Sequence, residues 1–217
     1  MAKIGGTQQI ILLGNTEGKN LVMETFFARR ARKQILNERQ RNLVLGSLLG
    51  DGYLAETTRG YAFRVNHGPS QKDYVDWKFK ILRNIVNSPP KFAKNCYYFR
   101  TVSHVFFDRL REQFYNGNKK IVPRKLIEKQ LNPFALAVWI MDDGSKDGNQ
   151  LRINSQSFSK LENLFLQDVL YAKLGIKSTL NLDKGKYRLR VSECSMQRLL
   201  RLIKPYIIPS MLYKVLP

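Results

Sequence analysis

Residues 43–52 read LVLGSLLGDG, a short apolar run that closes on Asp51 and a glycine. A second version, FALAVWIMDDG, occupies residues 134–144 and closes on Asp143 and a glycine. Neither run reaches the ~18 apolar residues of a membrane span, but each is long enough for a helix of about three turns. We therefore predict two buried helices, each of which delivers a carboxylate from its C-terminal end.

The position of these two acids is unusual. A carboxylate at the C-terminal end of a helix is disfavoured by ~0.3–1 kcal/mol, because the helix dipole is negative there. Two such carboxylates predict a compensating cation, and a metal ion is the obvious candidate. A single Asp-Gly at a helix end is more often only a turn, but its recurrence at matched positions favours a functional role.

The charge balance predicts a polyanionic partner. The chain has 217 residues, with 37 lysines and arginines against 17 aspartates and glutamates, a net charge of +20. Such an excess favours nucleic acid, through counterion release and steering; the alternative is a protein that is merely basic. Part of the charge lies in residues 21–42, which we expect to form a basic helix, either on a phosphate backbone or in solvent.

Cysteine and histidine exclude several kinds of site. Cys96 and Cys194 stand alone, which argues against a zinc site and a disulfide framework. Only His67 and His104 are present, so most histidine-based nuclease motifs are excluded. Neither a signal peptide nor a membrane span is evident. We therefore expect an intracellular protein that is not secreted, in an organelle (mitochondrion or chloroplast) or a prokaryotic cytoplasm.

The chain repeats one pattern in its two halves. Helix, hairpin, helix, hairpin and helix follow one another twice, and Asp51 and Asp143 are 92 residues apart. This is a tandem duplication, and without a flexible linker the halves should pack directly on each other. We expect an α+β fold of two αββαββα half-domains related by a pseudo-twofold axis, over residues 41–130 and 131–217. Residues 1–40 would be an extension.

Packing of the two apolar helices side by side would bring both carboxylates to the symmetry axis. The small residues Gly46, Ser47 and Gly50 would permit the backbones to approach closely. Two carboxylates beside a phosphodiester are what metal-dependent hydrolysis requires, since Mg²⁺ takes oxygen ligands and bridges carboxylate to phosphate.

The predicted hairpins carry polar side chains at alternate positions. B-DNA has pseudo-twofold axes that a duplicated protein can match, and arginine, asparagine and glutamine make bidentate contacts to base edges in the major groove. Alternation of polar and apolar residues is typical of any half-solvated sheet, but arginines and amides outnumber acids on these faces. The candidate DNA-binding residues are Arg64, Asn66, Arg100, Arg152, Asn154, Thr179, Asn181, Lys186, Arg188 and Arg190.

At the two apolar runs the sequence resembles the LAGLIDADG homing endonucleases, whose signature is a short helix that ends in a catalytic acid. Residues 45–52 match this signature well, whereas residues 138–144 carry bulky residues where it has small ones. The helix packing is therefore expected to be asymmetric. Two motifs in one chain are typical of the single-chain members. The resemblance begins near residue 40, runs to the end of the chain and leaves the extension unexplained.

The resemblance implies a metal site. Asp51 and Asp143 would bind the metal ions, with help from the backbone carbonyls of Gly50 and Asp142. The cofactor would be Mg²⁺ or Mn²⁺, and Ca²⁺ would support DNA binding without cleavage.

The resemblance also implies further catalytic residues. Lys120 and Lys214 match the basic residue that lies near each scissile phosphate, where they would polarise water or stabilise the transition state. Simple phosphate contact is an equal alternative, and Lys119 competes with Lys120 for the role. Gln156, and His67 less closely, match a strand-end position that orients solvent near the metal.

The implied reaction is metal-assisted hydrolysis of one phosphodiester in each strand of a long, asymmetric double-stranded DNA site. A monomer would cut across the minor groove and leave short 3′ overhangs. The rivals are a maturase of the same fold that binds its host intron RNA, a non-catalytic DNA-binding protein, and a generic RNA-binding protein. The two retained acids favour the endonuclease, and Tyr97-Tyr98 is the only hint of an RNA-stacking surface.

Overall fold

A pair of buried helices forms the centre of the molecule, as predicted. The computed structural model describes residues 25–215, and within them α2 (Glu38–Leu49) packs along α6 (Pro133–Asp143). The start of α6 follows from its sequence: a proline opens the helix, and the Asn132 side chain accepts a hydrogen bond from the Ala135 amide at 2.9 Å. No helix in the described part of the chain has the length and hydropathy of a bilayer span.

The prediction of a single basic helix over residues 21–42 is wrong for the residues that the structure describes. A short helix, α1 (Phe26–Arg32), ends well before α2 begins. The interruption arises because Asn37 caps α2. Its side chain accepts a hydrogen bond from the backbone N–H of Gln40, and the Gln40 side chain accepts one from the backbone N–H of Asn37. Residues 1–24, which belong to the expected extension and include the first residues of the expected helix, lie outside the described residues.

Each half has the predicted order of helix, hairpin, helix, hairpin and helix. After α2, the first half contains β1 (Tyr53–Thr57), β2 (Gly60–His67), α3 (Lys72–Leu82), β3 (Lys91–Ala93), β4 (Cys96–Arg100) and α4 (Val105–Phe114). The connection consists of β5 (Tyr115–Asn116), β6 (Lys119–Lys120) and α5 (Arg124–Gln130). After α6, the second half contains β7 (Gly144–Asp147), β8 (Gln150–Ile153), α7 (Lys160–Leu174), β9 (Ser178–Asp183), β10 (Lys186–Val191) and α8 (Glu193–Ile203).

The two four-stranded sheets share both topology and register. Their strand orders are β1-β2-β4-β3 and β7-β8-β10-β9, with every neighbouring pair antiparallel. Tyr53 lies opposite Arg64, and Ser145 lies opposite Arg152, each at the second position after its motif acid. The register thereby defines which residues of the two halves are equivalent. Helices α3 and α4 cover one sheet, and α7 and α8 cover the other.

Glycine permits the close contact between α2 and α6. A Cβ atom on Gly46 would lie 2.3 Å from the carbonyl oxygen of Ala135, and one on Gly50 would lie 2.5 Å from the Cβ of Asp142. The contact is asymmetric, because the second motif has Val138 and Asp142 at the positions where the first motif has Gly46 and Gly50. The bulkier second motif therefore packs into space that the glycines of the first motif leave open.

Candidate active site and nucleic-acid face

Asp51 and Asp143 lie at the ends of the central helices, where the two halves meet. Asp51 lies just beyond the C-terminal end of α2, and Asp143 is the last residue of α6. The side chain of Asp51 is 51% exposed. Burial, then the charges of Asp51 and Asp142, raise the pKa of Asp143 to about 8. Burial and the charge of Asp142 also raise the pKa of Asp51 above its usual value. The two acids are thus close enough for the charge of Asp51 to perturb the ionisation of Asp143.

Two lysines occupy equivalent places beside these acids. The Lys120 Nζ donates to the Gly50 carbonyl at 2.8 Å and to the Gly52 carbonyl at 2.9 Å. The Lys214 Nζ donates to the Asp142 carbonyl at 3.1 Å. Since the two acceptors at residues 50 and 142 immediately precede the acids, the lysines are related by the pseudo-twofold axis despite their unmatched sequence offsets. Lys119, by contrast, is exposed.

The side chain of Asp142 is engaged by the first half of the molecule. Its Oδ1 accepts hydrogen bonds from the Lys78 Nζ and the Tyr74 hydroxyl, each at 2.7 Å, and its Oδ2 accepts from the Asp51 amide at 3.3 Å. The side chains of Lys78 and Asp142 are both fully buried. The absent side chain of Gly50 leaves room for this carboxylate. This network links helix α3 to the backbone of the first motif acid.

His67 lies between the two carboxylates of this network. Its Nδ1 is 3.7 Å from Asp51 Oδ2, and its Nε2 is 3.7 Å from Asp142 Oδ1. Burial and the adjacent Lys78 lower the pKa of His67 to about 4, so the imidazole is neutral near pH 7. Ligand atoms of these three residues lie within 4.8 Å of one another and could hold a metal ion. The Lys78 ammonium, however, already lies 2.7 Å from Asp142 Oδ1 and supplies a cation there.

The donor groups around Asp51 and Asp143 fit a divalent cation. Their raised pKa values reflect ionised carboxylates that burial and neighbouring negative charge destabilise. A cation at this position would reverse that effect, and carboxylate and carbonyl oxygens are the ligands that Mg²⁺ prefers.

Gln156 and His67 are not equivalent in the structure. Strand β8 ends at Ile153, and Gln156 lies in the turn beyond it, partly buried. By the shared register, His67 corresponds to Ser155, and the counterpart of Gln156 is Gly68. Gln156 therefore remains a candidate from the sequence alone, whereas His67 contacts the acids directly.

Sequence reasoning missed Lys78 and Tyr74 as parts of the site. Both lie on α3, four residues apart and hence on one helix face. Tyr74, Lys78 and Leu82 form a buried stripe at four-residue spacing along this helix. The lysine on the same stripe was an available signal, since lysine is almost never fully buried unless it is paired.

The candidate DNA-binding residues share the outer faces of the two sheets. Arg64 lies opposite Arg100 in the first sheet, and Arg152 lies opposite Arg190 in the second. Most of the remaining candidates alternate with inward-facing residues along β2, β9 and β10; they are Asn66, Thr179, Asn181, Lys186 and Arg188. Asn154 directly follows the end of β8. The sequence pattern thus located both faces.

Comparison with known sequences identifies relatives of several kinds. The profile of the "LAGLIDADG DNA endonuclease family" matches residues 41–199. Protein RecA of Mycolicibacterium flavescens is 32% identical over 200 residues, which cover 84% of this chain and 47% of that protein. Cytochrome b mRNA maturase bI2 of Saccharomyces cerevisiae is 32% identical over 203 residues, 83% of this chain and 48% of that protein. The chain thus spans about half the length of these two relatives.

A shorter relative and two solved structures match over most of their own length. Intron-encoded endonuclease ai4 of Dictyostelium discoideum is 31% identical over 159 residues, 72% of this chain and 87% of that protein. The homing endonuclease I-WcaI, bound to its DNA recognition sequence, has a TM-score of 0.83 at 25% identity and covers 90% of this chain and 95% of its own. I-DmoI in complex with DNA and Mn shares the fold, with a TM-score of 0.52 at 18% identity over 76% of this chain and 96% of its own.

Proposed function

Because the chain belongs to the LAGLIDADG DNA endonuclease family, we propose that it is a homing endonuclease that cuts both strands of a long DNA site with the help of a divalent metal ion. The observation that carries this proposal is the paired arrangement at the centre. Asp51 and Asp143 each follow a backbone carbonyl that accepts a hydrogen bond from a lysine. A protein that only bound DNA would need neither the paired motif acids nor the lysines beside them.

The metal ligands that we assign are the carboxylates of Asp51 and Asp143 and the carbonyls of Gly50 and Asp142. These oxygens suit Mg²⁺ or Mn²⁺. A bound ion would supply Lewis-acid polarisation of a phosphate and a more acidic water. Both carboxylates would then be held ionised. We assign Ca²⁺ to the same ligands and expect it to support DNA binding without cleavage.

Lys120 and Lys214 are the residues that we assign to the scissile phosphates. Each ammonium is held beside its acid by a hydrogen bond to a carbonyl. From there it could donate to a phosphate oxygen and stabilise the negative charge that develops in the transition state. We assign Lys120 rather than Lys119, because Lys119 is exposed and only Lys120 donates to the carbonyl next to Asp51.

The outer faces of the two sheets would bind the DNA. Their arginine and amide side chains are suited to base edges in the major groove, and the net charge of +20 favours the phosphate backbone. Two similar but non-identical halves in one chain suit a monomer that reads an asymmetric site. Cuts at the symmetry axis, across the minor groove, would leave short 3′ overhangs.

A plasmid cleavage assay tests this function. If the reading frame lies in an intron, the joined exon sequence is the candidate substrate; otherwise a site can be selected from a randomised duplex pool. We expect linear plasmid with short 3′ overhangs in Mg²⁺ and intact plasmid in EDTA. A protein that binds its site but leaves it intact in both Mg²⁺ and Mn²⁺ would contradict the proposal.

An RNA maturase is the second candidate, because the yeast relative is a cytochrome b mRNA maturase. The basic outer faces could equally contact an RNA backbone. Stimulated splicing of the host intron without nicking of any DNA site would favour the maturase. We retain an organelle or a prokaryotic cytoplasm as the expected compartment, which suits an intron-borne gene in either role.

A further inference from the structure

Each sheet carries two arginines directly opposite each other on its outer face. Arg64 lies opposite Arg100 in the first sheet, and Arg152 lies opposite Arg190 in the second. The shared register makes the two pairs equivalent about the pseudo-twofold axis. Like charges directly opposite across an antiparallel pair are destabilising. Both pairs therefore need neighbouring groups that hold the guanidinium groups in place.

In the second sheet a single carboxylate holds both arginines. Asp147 Oδ1 is 3.3 Å from Arg152 Nη2, and Asp147 Oδ2 is 3.0 Å from Arg190 Nη2. The three side chains are between 27% and 35% exposed, so they remain accessible on the outer face. Each arginine contacts Asp147 through one terminal nitrogen, so its other terminal nitrogen can donate to a ligand.

The first sheet supports its arginines differently. Ala55 stands at the position equivalent to Asp147, four residues after its motif acid, and cannot bridge the pair. Instead, the Arg64 guanidinium lies 4.6 Å from the centre of the Tyr98 ring and 5.9 Å from that of Tyr53. Arg64 is thus held by aromatic faces, whereas its counterpart Arg152 is held by a carboxylate.

We infer that Asp147 is a positioning residue that determines base specificity in the second half-site. It would hold Arg152 and Arg190 so that their free donors meet the O6 and N7 acceptors of two neighbouring guanines in the major groove. A guanidinium fixed in advance loses less conformational freedom on binding. The inference rests on the proposed function, since it names the bases that the proposed DNA face would read.

The opposing possibility is that Asp147 only neutralises positive charge. The two roles differ in outcome. Loss of a neutralising acid would raise affinity for every DNA sequence equally. Loss of a positioning acid would weaken the preference for particular base pairs in one half of the site and leave the other half unchanged.

Selection of binding sites from a randomised duplex pool, in Ca²⁺ without Mg²⁺, separates these roles. The wild-type chain should enrich a site with two neighbouring guanines in the second half. Asp147→Ala should lower the preference for each by about tenfold, with the first half-site unchanged. Asp147→Asn, which keeps the shape of the side chain, should also lower the guanine preference in the second half-site. Glu193→Gln is the matched control: it removes one acidic charge from the same half, and Glu193 accepts from Asn149, not from the arginines.

The failures of this inference and of the proposed function are distinguishable. If the wild-type chain enriches no sequence, the proposed function fails and the inference fails with it. If wild type enriches a site but both Asp147 variants enrich the same site with the same guanine preference, only the inference is overturned. Equal loss of preference in Glu193→Gln would overturn it as well, because charge alone would then explain the effect.

Discussion

The buried ion pair of Lys78 and Asp142 should be costly to break from one side. Both side chains are fully buried, with the Lys78 Nζ 2.7 Å from Asp142 Oδ1. Lys78→Met leaves an unpaired buried carboxylate, so we expect the free energy of unfolding to fall by ~3–5 kcal/mol. Urea denaturation of the metal-free protein measures this. Lys78→Met combined with Asp142→Asn should recover most of the loss, because the neutral side chain can still accept from Tyr74; additive losses would contradict the pairing.

The two adjacent lysines that form β6 allow a controlled test of the catalytic assignment. Lys120→Met removes the ammonium beside Asp51, so we expect single-turnover cleavage in Mg²⁺ to slow by ~10²–10³. Lys119→Met removes the same charge from an exposed neighbour and should change the rate far less. DNA binding in Ca²⁺ is measured in parallel to separate affinity from rate. Equal effects of the two substitutions would point to general charge and not to a catalytic lysine.

Among the candidate site residues, only the two motif acids could be located from a repeated pattern, whereas the two lysines followed from the family resemblance. Asp51 and Asp143 were located because an acid and a glycine end both apolar runs. Lys78 reaches the site through packing of α3 against the central helices, and no local pattern links it to Asp142. The equivalence of Lys120 and Lys214 was hidden by unmatched offsets, because a shared acceptor position, not sequence spacing, relates them.

The contact between α2 and α6 depends on the absence of a side chain at Gly46. A Cβ there would lie 2.3 Å from the Ala135 carbonyl oxygen, a backbone atom that cannot swing away. Gly46→Ala should therefore destabilise the protein by ~1–3 kcal/mol, although alanine is the better helix former by ~1 kcal/mol. Thermal and urea unfolding measure the change. Gly68→Ala, whose Cβ would meet nothing closer than 4.0 Å, is the control; equal stability of the two variants would contradict close packing.

Element types were largely predictable, whereas one boundary was not. Alternating polarity located the hairpins, and the apolar runs located α2 and α6, because these patterns follow from one-sided burial. The break between α1 and α2 was missed because residues 21–42 contain no proline or glycine that would signal the end of a helix. In the structure, the capping box of Asn37 and Gln40 sets the start of α2.

The whole molecule presents a large positive charge to its partner, and its affinity should depend steeply on salt. With a net charge of +20, contacts to several phosphates should make the logarithm of the association constant fall linearly with the logarithm of salt concentration, with a slope of about −0.9 per phosphate. Titration of a labelled duplex with the protein at a series of salt concentrations measures the slope. A flat dependence would contradict the charged DNA-binding faces.

The duplication explains why the fold could be predicted from the sequence more fully than the nucleic-acid target. Two copies of one pattern fix the pseudo-twofold arrangement, and the equal sheet registers follow from that symmetry. The sequence already shows Asp142 where the first motif has Gly50, but the contacts that Asp142 and Asp147 make depend on packing between elements, which a single sequence does not reveal. These differences between the halves are where an asymmetric target would be recognised.

The central claim is that the two motif acids together carry the cleavage of both strands. The most direct measurement compares wild type with Asp51→Asn and with Asp143→Asn on a supercoiled plasmid that carries the target site. Each substitution keeps the size of the side chain and removes the charge that would bind metal. We predict that both variants still bind the site in Ca²⁺, and that neither produces linear plasmid in Mg²⁺. Linear product from either single variant at the wild-type rate would contradict the claim.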